Sequence, residues 1–400
     1  MLDGLDDISW DSLVHAYGPA SDVPADLRAL LSADENTAKD ALWRLFGNIH
    51  HQGTVYLAAP PAIPFLTEIA LALPPERAAG VVDLLSAMLD YAADMIIEDG
   101  LTVAAFREKM RADEAALDPK ALAECREFGC YPTVIVETYD AVMAQIPVLM
   151  EGLDTDDPTI QIALFGLLAD APEHSAMAKT LAERVLFFGT SDEVAQVSAI
   201  ECLRRLSLFD EVADFGPIIE RLTADGASPF LTAYVVLAQS KTGQAGKEDL
   251  LRVLQKADRL YEIDRMNARG EGWTAPRIAG ALMPWADTDK ERICDAIMGA
   301  ISAARTVKAS PDDVIAVLVR VLASPQPAQD YFTGKRTSDL TPLERRALLH
   351  VAEFGTWKLR DKWFANFAQQ MRSYGLPDKP DALERFAGAK RGVIARLLGR

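Results

Sequence analysis

Catalytic and targeting motifs are scarce in this chain, and each absence removes a class. There are four cysteines, Cys125, Cys130, Cys202 and Cys294, with no CxxC pair. A structural zinc site needs four well-placed ligands, so the reading is free or structural thiols in a reducing compartment, with no metal and no cofactor. No HExxH and no G-x-S-x-G occurs, which leaves zinc proteolysis and the hydrolase nucleophile elbow without a handle. The nearest thing to a phosphate loop is Gly243-Gln-Ala-Gly-Lys-Glu248. Its upstream spacing is wrong, and Glu248 stands where a Ser or Thr must hold magnesium. Arg269-Gly-Glu-Gly-Trp273 is glycine-rich without being a dinucleotide fingerprint, and reads as the turn before Pro276. No run of about 18 uncharged apolar residues is present, so no membrane span is expected. The first ten residues carry Asp3, Asp6 and Asp7 and no basic residue, the reverse of a signal peptide, which points to the cytoplasm. No alternating run is long enough to build a sheet.

What is present is length, apolar content and acid. At 400 residues the chain exceeds the roughly 250–300 residues at which single cores stop growing. The net charge of −18 is unevenly spread: residues 335–400 hold 14 Lys and Arg against 7 Asp and Glu, and the rest holds 27 against 52. An acidic body repels a phosphate backbone, so nucleic acid is disfavoured and a basic protein partner favoured. The bland alternative is solubility. Carboxylate pairs such as Asp156/Asp157 and Asp312/Asp313 are explained by capping and the helix dipole, and single out no glycosidase-like site.

Helical period is the main structural signal. Val314, Val317, Leu318, Val321 and Leu322 follow one helical stripe, opened by Ser310-Pro311-Asp312-Asp313. Similar openings stand at Asp156-Asp157-Pro158, Ser191-Asp192-Glu193, Ser228-Pro229 and Thr274-Pro276, with a second amphipathic segment between each. One helix pair per 35–45 residues is the mark of helical repeats, and each pair buries its apolar face only by stacking on its neighbours. Upstream, helices are expected over 38–49, 61–73, 75–97 and 132–149, with a polar helical insertion between. Pro147 and Pro284 fall in apolar stretches and should kink or end a helix. The expected organisation is an N-terminal cap over 1–34, helical repeats over 35–328 with a less regular insertion near 100–130, and a basic helical cap over 329–400.

The tract Leu42-Trp-Arg-Leu-Phe-Gly-Asn-Ile-His-His-Gln-Gly-Thr-Val-Tyr56, followed by Ala62-Ile-Pro-Phe-Leu66, resembles the first repeat of bacterial HEAT-repeat proteins that carry an HQGTVY tract. Leu340-Thr-Pro-Leu-Glu-Arg-Arg-Ala-Leu348, Trp357 and Tyr374-Gly-Leu-Pro377 resemble the closing segment of the same proteins. The resemblance implies an all-α, HEAT-like α-α superhelix, a right-handed solenoid of antiparallel helix pairs, and no particular activity. Residues 100–128 depart from the repeat pattern.

The residues singled out for binding are His50, His51, Gln52, Tyr56, Trp273 and Trp357; none is singled out for catalysis. In the functional reading, the two histidines meet a ligand or metal at a loop on the array's edge. In the structural reading they end a helix, Gly53 closes it in the left-handed conformation, and Val55 and Tyr56 tuck inward. Adjacent histidines point in different directions on a helix and make poor joint ligands. The tryptophans of some HEAT-like folds read nucleobases, but tryptophan more often anchors packing. These features give a monomeric, non-enzymatic scaffold for a basic protein, in one version an immunity-like protein that neutralises a basic toxin. The alternatives are a HEAT-fold enzyme acting on nucleic acid or a small molecule, and self-assembly.

Overall fold

A computed structural model describes residues 1–188, 192–209, 215, 217–218, 221–222, 231, 235, 246–266, 274–359, 362–363 and 365–389. The protein is all-α, with 71% helix against 2% strand. It divides into two compact units, Met1–Asp225 and Gly226–Arg400.

The first unit opens with two 3-10 turns, Leu5–Asp7 and Trp10–Ser12, followed by a hairpin of two-residue strands, β1 (Val14–His15) and β2 (Gly18–Pro19), then α1 (Val23–Ala29) and α2 (Glu35–Asn48). A second hairpin, β3 (His50–His51) and β4 (Thr54–Val55), leads to α3 (Ala59–Ala72), α4 (Pro75–Glu98), α5 (Val103–Ala115), α6 (Pro119–Phe128) and α7 (Pro132–Gly152). Then come α8 (Pro158–Leu168), α9 (Ser175–Phe187) and α10 (Glu193–Leu206). The starts are chemically marked. Asp157 accepts from Thr159 and Ile160 N–H at 2.8 and 3.2 Å, and Asp192, Thr102 and Asp118 do the same for α10, α5 and α6. Each such cap is worth about 1 kcal/mol. The core runs along α4, which buries Val81, Leu84, Leu85, Met88 and Leu89 and packs against α3, α7 and α8. Each fully buried aliphatic side chain contributes roughly 1.5–3 kcal/mol. In turn α10 packs on α8 and α9.

The second unit comprises α11 (Lys247–Leu254), α12 (Ala257–Met266), α13 (Thr274–Ala281), α14 (Lys290–Thr306) and α15 (Asp312–Ala323). After these stand α16 (Pro342–Phe354), the hairpin β5 (Lys358–Leu359) and β6 (Lys362–Trp363), α17 (Ala365–Ser373) and α18 (Pro380–Phe386). Its centre is α14, which packs on α12, α15 and α16. A capping box opens α16: Thr341 Oγ1 accepts from Glu344 N–H at 3.1 Å, and Glu344 Oε2 accepts from Thr341 N–H at 2.6 Å. Several of the segment's basic side chains are engaged internally. Arg346 reaches Asp295 of α14 at 2.7 Å, Lys335 pairs with Glu344 at 2.9 Å, and Arg345 donates to the carbonyls of Thr337 and Leu340.

Several expectations change. Pro147 does not end a helix, because α7 runs through it to Gly152. Pro284 does mark an end, in the short 3-10 turn Met283–Trp285 after α13. Residues 245–263, which read in the sequence as one amphipathic segment, hold two helices, α11 and α12, broken where Lys256 N–H turns back to Val253 O at 2.9 Å. His50 and His51 do not end α2; they form a strand. Among the described residues α7 is long and apolar enough to cross a membrane by length and composition. Here it buries Val134, Val142, Ile146 and Leu149 in the core. The Ser228-Pro229 start, Trp273, Lys390 and Arg391 lie outside the described residues.

Candidate functional site

The HQGTVY tract forms a hairpin rather than a helix cap. Gln52 has φ +50° and Gly53 φ +83°, and His50 faces Val55 while His51 faces Thr54. Two central residues in the left-handed region make the two-residue turn whose twist matches paired strands. Glycine takes that conformation freely, and the glutamine is the less common occupant.

Backbone hydrogen bonds join the residues flanking this hairpin to two other segments. Ala16 N–H donates to Asn48 O at 3.0 Å, Ala58 N–H to Val14 O at 3.3 Å, and Leu57 N–H to Gly129 O at 2.9 Å. The N-terminal hairpin, the end of α2 and the α6–α7 junction therefore meet at one corner. Gly129, at φ +65°, permits the approach: a Cβ there would lie 2.7 Å from Val14 Cβ.

Aromatic rings gather at the same corner. Tyr17 meets His51 edge to face at 5.4 Å between centroids, and Phe46 meets His50 at 6.4 Å. Trp43 lies three residues before Phe46 on α2, on the same face, and is 79% exposed; Tyr17 is 70% exposed. His15 is buried and committed: its Nε2 lies 2.8 Å from Asp22 Oδ1, and its Nδ1 accepts from Tyr17 N–H at 3.1 Å. Those bonds fit a neutral ring protonated on Nε2, which acts as a bracket for the corner. Tyr56 is half-buried, and its phenol is pushed up by burial, then by neighbouring Cys130 and Tyr17.

Beside the corner lies a cavity of about 350 Å³. Thr54 and Val55 form one wall, α4 and α5 two others, and the α6–α7 junction the last; Asp113 is the charged residue in its lining. Among the described residues no group of three or more His, Cys, Asp or Glu is arranged to hold a metal ion.

Of the six residues singled out in the sequence, His50, His51, Gln52 and Tyr56 share this corner. Trp357 belongs to the second unit and is a packing residue, 7% exposed, with its indole N–H donating to Ala352 O at 2.9 Å. Trp273 is outside the described residues. Tyr17 and Trp43 were not singled out. The signal for Trp43 was its place in the helix, between inward-facing Ala41 and Leu45.

The corner carries a pH signature. Burial, and next the charge of His51, hold the His50 imidazole below its ordinary 6.5. Its folded pKa is thus lower than its unfolded one. The unfolded chain takes up a proton as pH falls through 6.5 while the folded chain resists, so stability is present above that pH and lost below it. His50→Gln should flatten this loss. Urea unfolding at pH 7.5 and pH 5.5 checks it, and an unchanged difference between the two pH values would show that His50 plays no part.

No protein-family model, curated protein or solved structure matches the chain.

Proposed function

We propose that the protein is a non-enzymatic scaffold of HEAT-like helix pairs that binds a basic protein, acting in the cytoplasm as a monomer, with the aromatic corner of the first unit as its contact surface. The exposure of Trp43 carries this reading: a tryptophan that is 79% exposed, with Tyr17 also 70% exposed in the same unit, leaves large apolar rings in water. Trp and Tyr are the residues that most often dominate the energy of protein interfaces. Charge supports the same partner, since residues 1–60 hold 9 Asp and Glu against 3 Lys and Arg, which favours encounter with a basic surface. The pairing of successive helices, α3 with α4 and α9 with α10, supports the HEAT-like arrangement. A nucleic-acid enzyme is the weaker reading, because the cavity lining includes Asp113 but neither tryptophan nor a basic side chain.

The test compares wild type with the Trp43→Ala/Tyr17→Ala variant as bait, at two salt concentrations. A basic prey retained at low salt, depleted at high salt and lost with the variant is expected. Against the purified prey, Trp43→Ala should weaken binding by about 2 kcal/mol or more. Folding should change by no more than roughly 0.5 kcal/mol, because both rings are at the surface. Identical prey from both baits would sink the proposal.

A further inference from the structure

Sulfur is concentrated at the cavity beside β3–β4. Four of its twelve lining residues are Met95, Met110, Cys125 and Cys130, whereas the whole chain has 11 Met and 4 Cys in 400 residues. Packing alone would draw mostly on leucine, isoleucine and valine, which this chain uses freely elsewhere in its core.

The backbone carries two of the sulfurs to the same cavity wall. Helix α6 ends in a left-handed cap at Gly129, whose N–H donates to Cys125 O at 2.8 Å. A contact between the residue bearing the accepting carbonyl and the residue just after the cap frequently accompanies that motif. Here those two residues are Cys125 and Cys130, both free thiols. Burial pushes the Cys130 thiol up, and the neighbouring Cys125 pushes it further. The other walls carry the thioethers: Met95 from α4, half-buried, and Met110 from α5, 2% exposed. The one lining carboxylate, Asp113, is engaged by Lys109 Nζ at 2.7 Å. The ligand set on offer is therefore soft, with little oxygen for a hard dication.

We propose that this cavity binds a soft monovalent d¹⁰ cation, Cu(I), through the thiolates of Cys125 and Cys130, with the thioethers of Met95 and Met110 completing the shell. Thiolate and thioether ligands select Cu(I) over magnesium, calcium or manganese. Each thiol surrenders its proton on binding, so two protons leave to solvent per ion and the copper keeps its oxidation state. Affinity rises with pH as a result, because binding releases protons. The site adjoins the aromatic corner and shares Thr54 and Val55 with it, but its sulfur ligands are not the exposed rings, so it is tested independently of the protein-binding reading.

The test uses the full chain, reduced and anaerobic, with Cu(I) supplied as its coloured bicinchoninate complex. The protein should strip one ion per chain, with release of two protons read by a pH indicator. Cys125→Ser and Cys130→Ser should each weaken binding roughly 100-fold or more, and Met110→Leu about tenfold, since removing even a supporting partner of a metal site has effects of that order. Cys294→Ser, at a buried thiol outside the cavity lining, should bind as wild type does. Circular dichroism melts of the variants separate lost ligation from lost folding, and Cys125→Ala gives a second substitution at the same position. The proposal is overturned if the chelator keeps its copper. It is equally overturned if the Cys125→Ser/Cys130→Ser variant competes as well as wild type, or if Cys294→Ser loses as much affinity.

Discussion

Trp357→Ala is expected to destabilise the Gly226–Arg400 unit by about 3–5 kcal/mol, the range for truncating a large buried aromatic. The ring is 7% exposed and meets Phe367 edge to face at 4.8 Å between centroids. Its indole N–H donates to the Ala352 carbonyl at 2.9 Å, in the last turn of α16. Backbone makes room for the pair: at Gly355 a Cβ would lie 2.7 Å from Phe367 Cζ. Most of the loss comes from the ring's apolar area and the cavity left behind. Trp357→Phe keeps much of the bulk and gives up the hydrogen bond, so it should cost much less, with the bond itself worth about 1 kcal/mol. Urea unfolding followed by circular dichroism measures both variants, with Trp43→Ala as the exposed control. If Trp357→Ala left unfolding unchanged yet abolished partner capture, the ring would be a contact residue and its placement in the core would be wrong.

The contrast between the two tryptophans shows what could be read from sequence. Helix starts were legible because their chemistry is local: Asp157 before Pro158, Asp192 before Glu193, and Thr341-Pro342 with Glu344 three residues on from Thr341 each act within one turn. The break between α11 and α12 was not legible, since Gln255-Lys256 carries no proline or glycine to mark it. The His50–Val55 hairpin was half legible. A glycine in the left-handed region serves a helix end or a two-residue turn equally well, and the same residue, Gly53, does occupy that region. The β-branched pair Thr54-Val55 after it, facing His51 and His50, was the discriminating signal. The cavity could not be read at all, because its lining runs from Thr54 to Ile135 across separate helices. The spacing of Cys125 and Cys130 allowed either one helix or a bridged turn; Gly129 between them decides for the turn.

The second large effect lies in the Met1–Asp225 unit, where Arg205→Met should cost about 3–5 kcal/mol, the range for removing one partner of a buried ion pair. Arg205, on α10, places Nε 2.8 Å from Asp170 Oδ1, and Asp170 is wholly buried just after α8. Its second nitrogen reaches Asp94 of α4, so one guanidinium joins three parts of the unit. Burial works against the Arg205 charge, and Asp170 and Asp94 more than offset it, holding its pKa above the ordinary arginine value. The Asp94 contact is 55% exposed on the carboxylate side and contributes at most about 1 kcal/mol; the cost therefore falls on Asp170. Methionine preserves the apolar stem and removes only the charge, leaving the carboxylate in a buried site without its guanidinium. Without the guanidinium, burial disfavours the charged form of Asp170 and favours its protonation relative to wild type. The folded variant therefore takes up that proton before folded wild type does, so the variant's deficit against wild type should narrow as pH falls from 7 toward 4.5. Adding Asp170→Asn removes the buried charge at nearly constant shape. The Arg205→Met/Asp170→Asn variant should recover much of the loss and show no such narrowing. Urea titrations of the two variants at both pH values give the result, and a deficit that is independent of pH and untouched by Asp170→Asn would place the cost in packing rather than in charge.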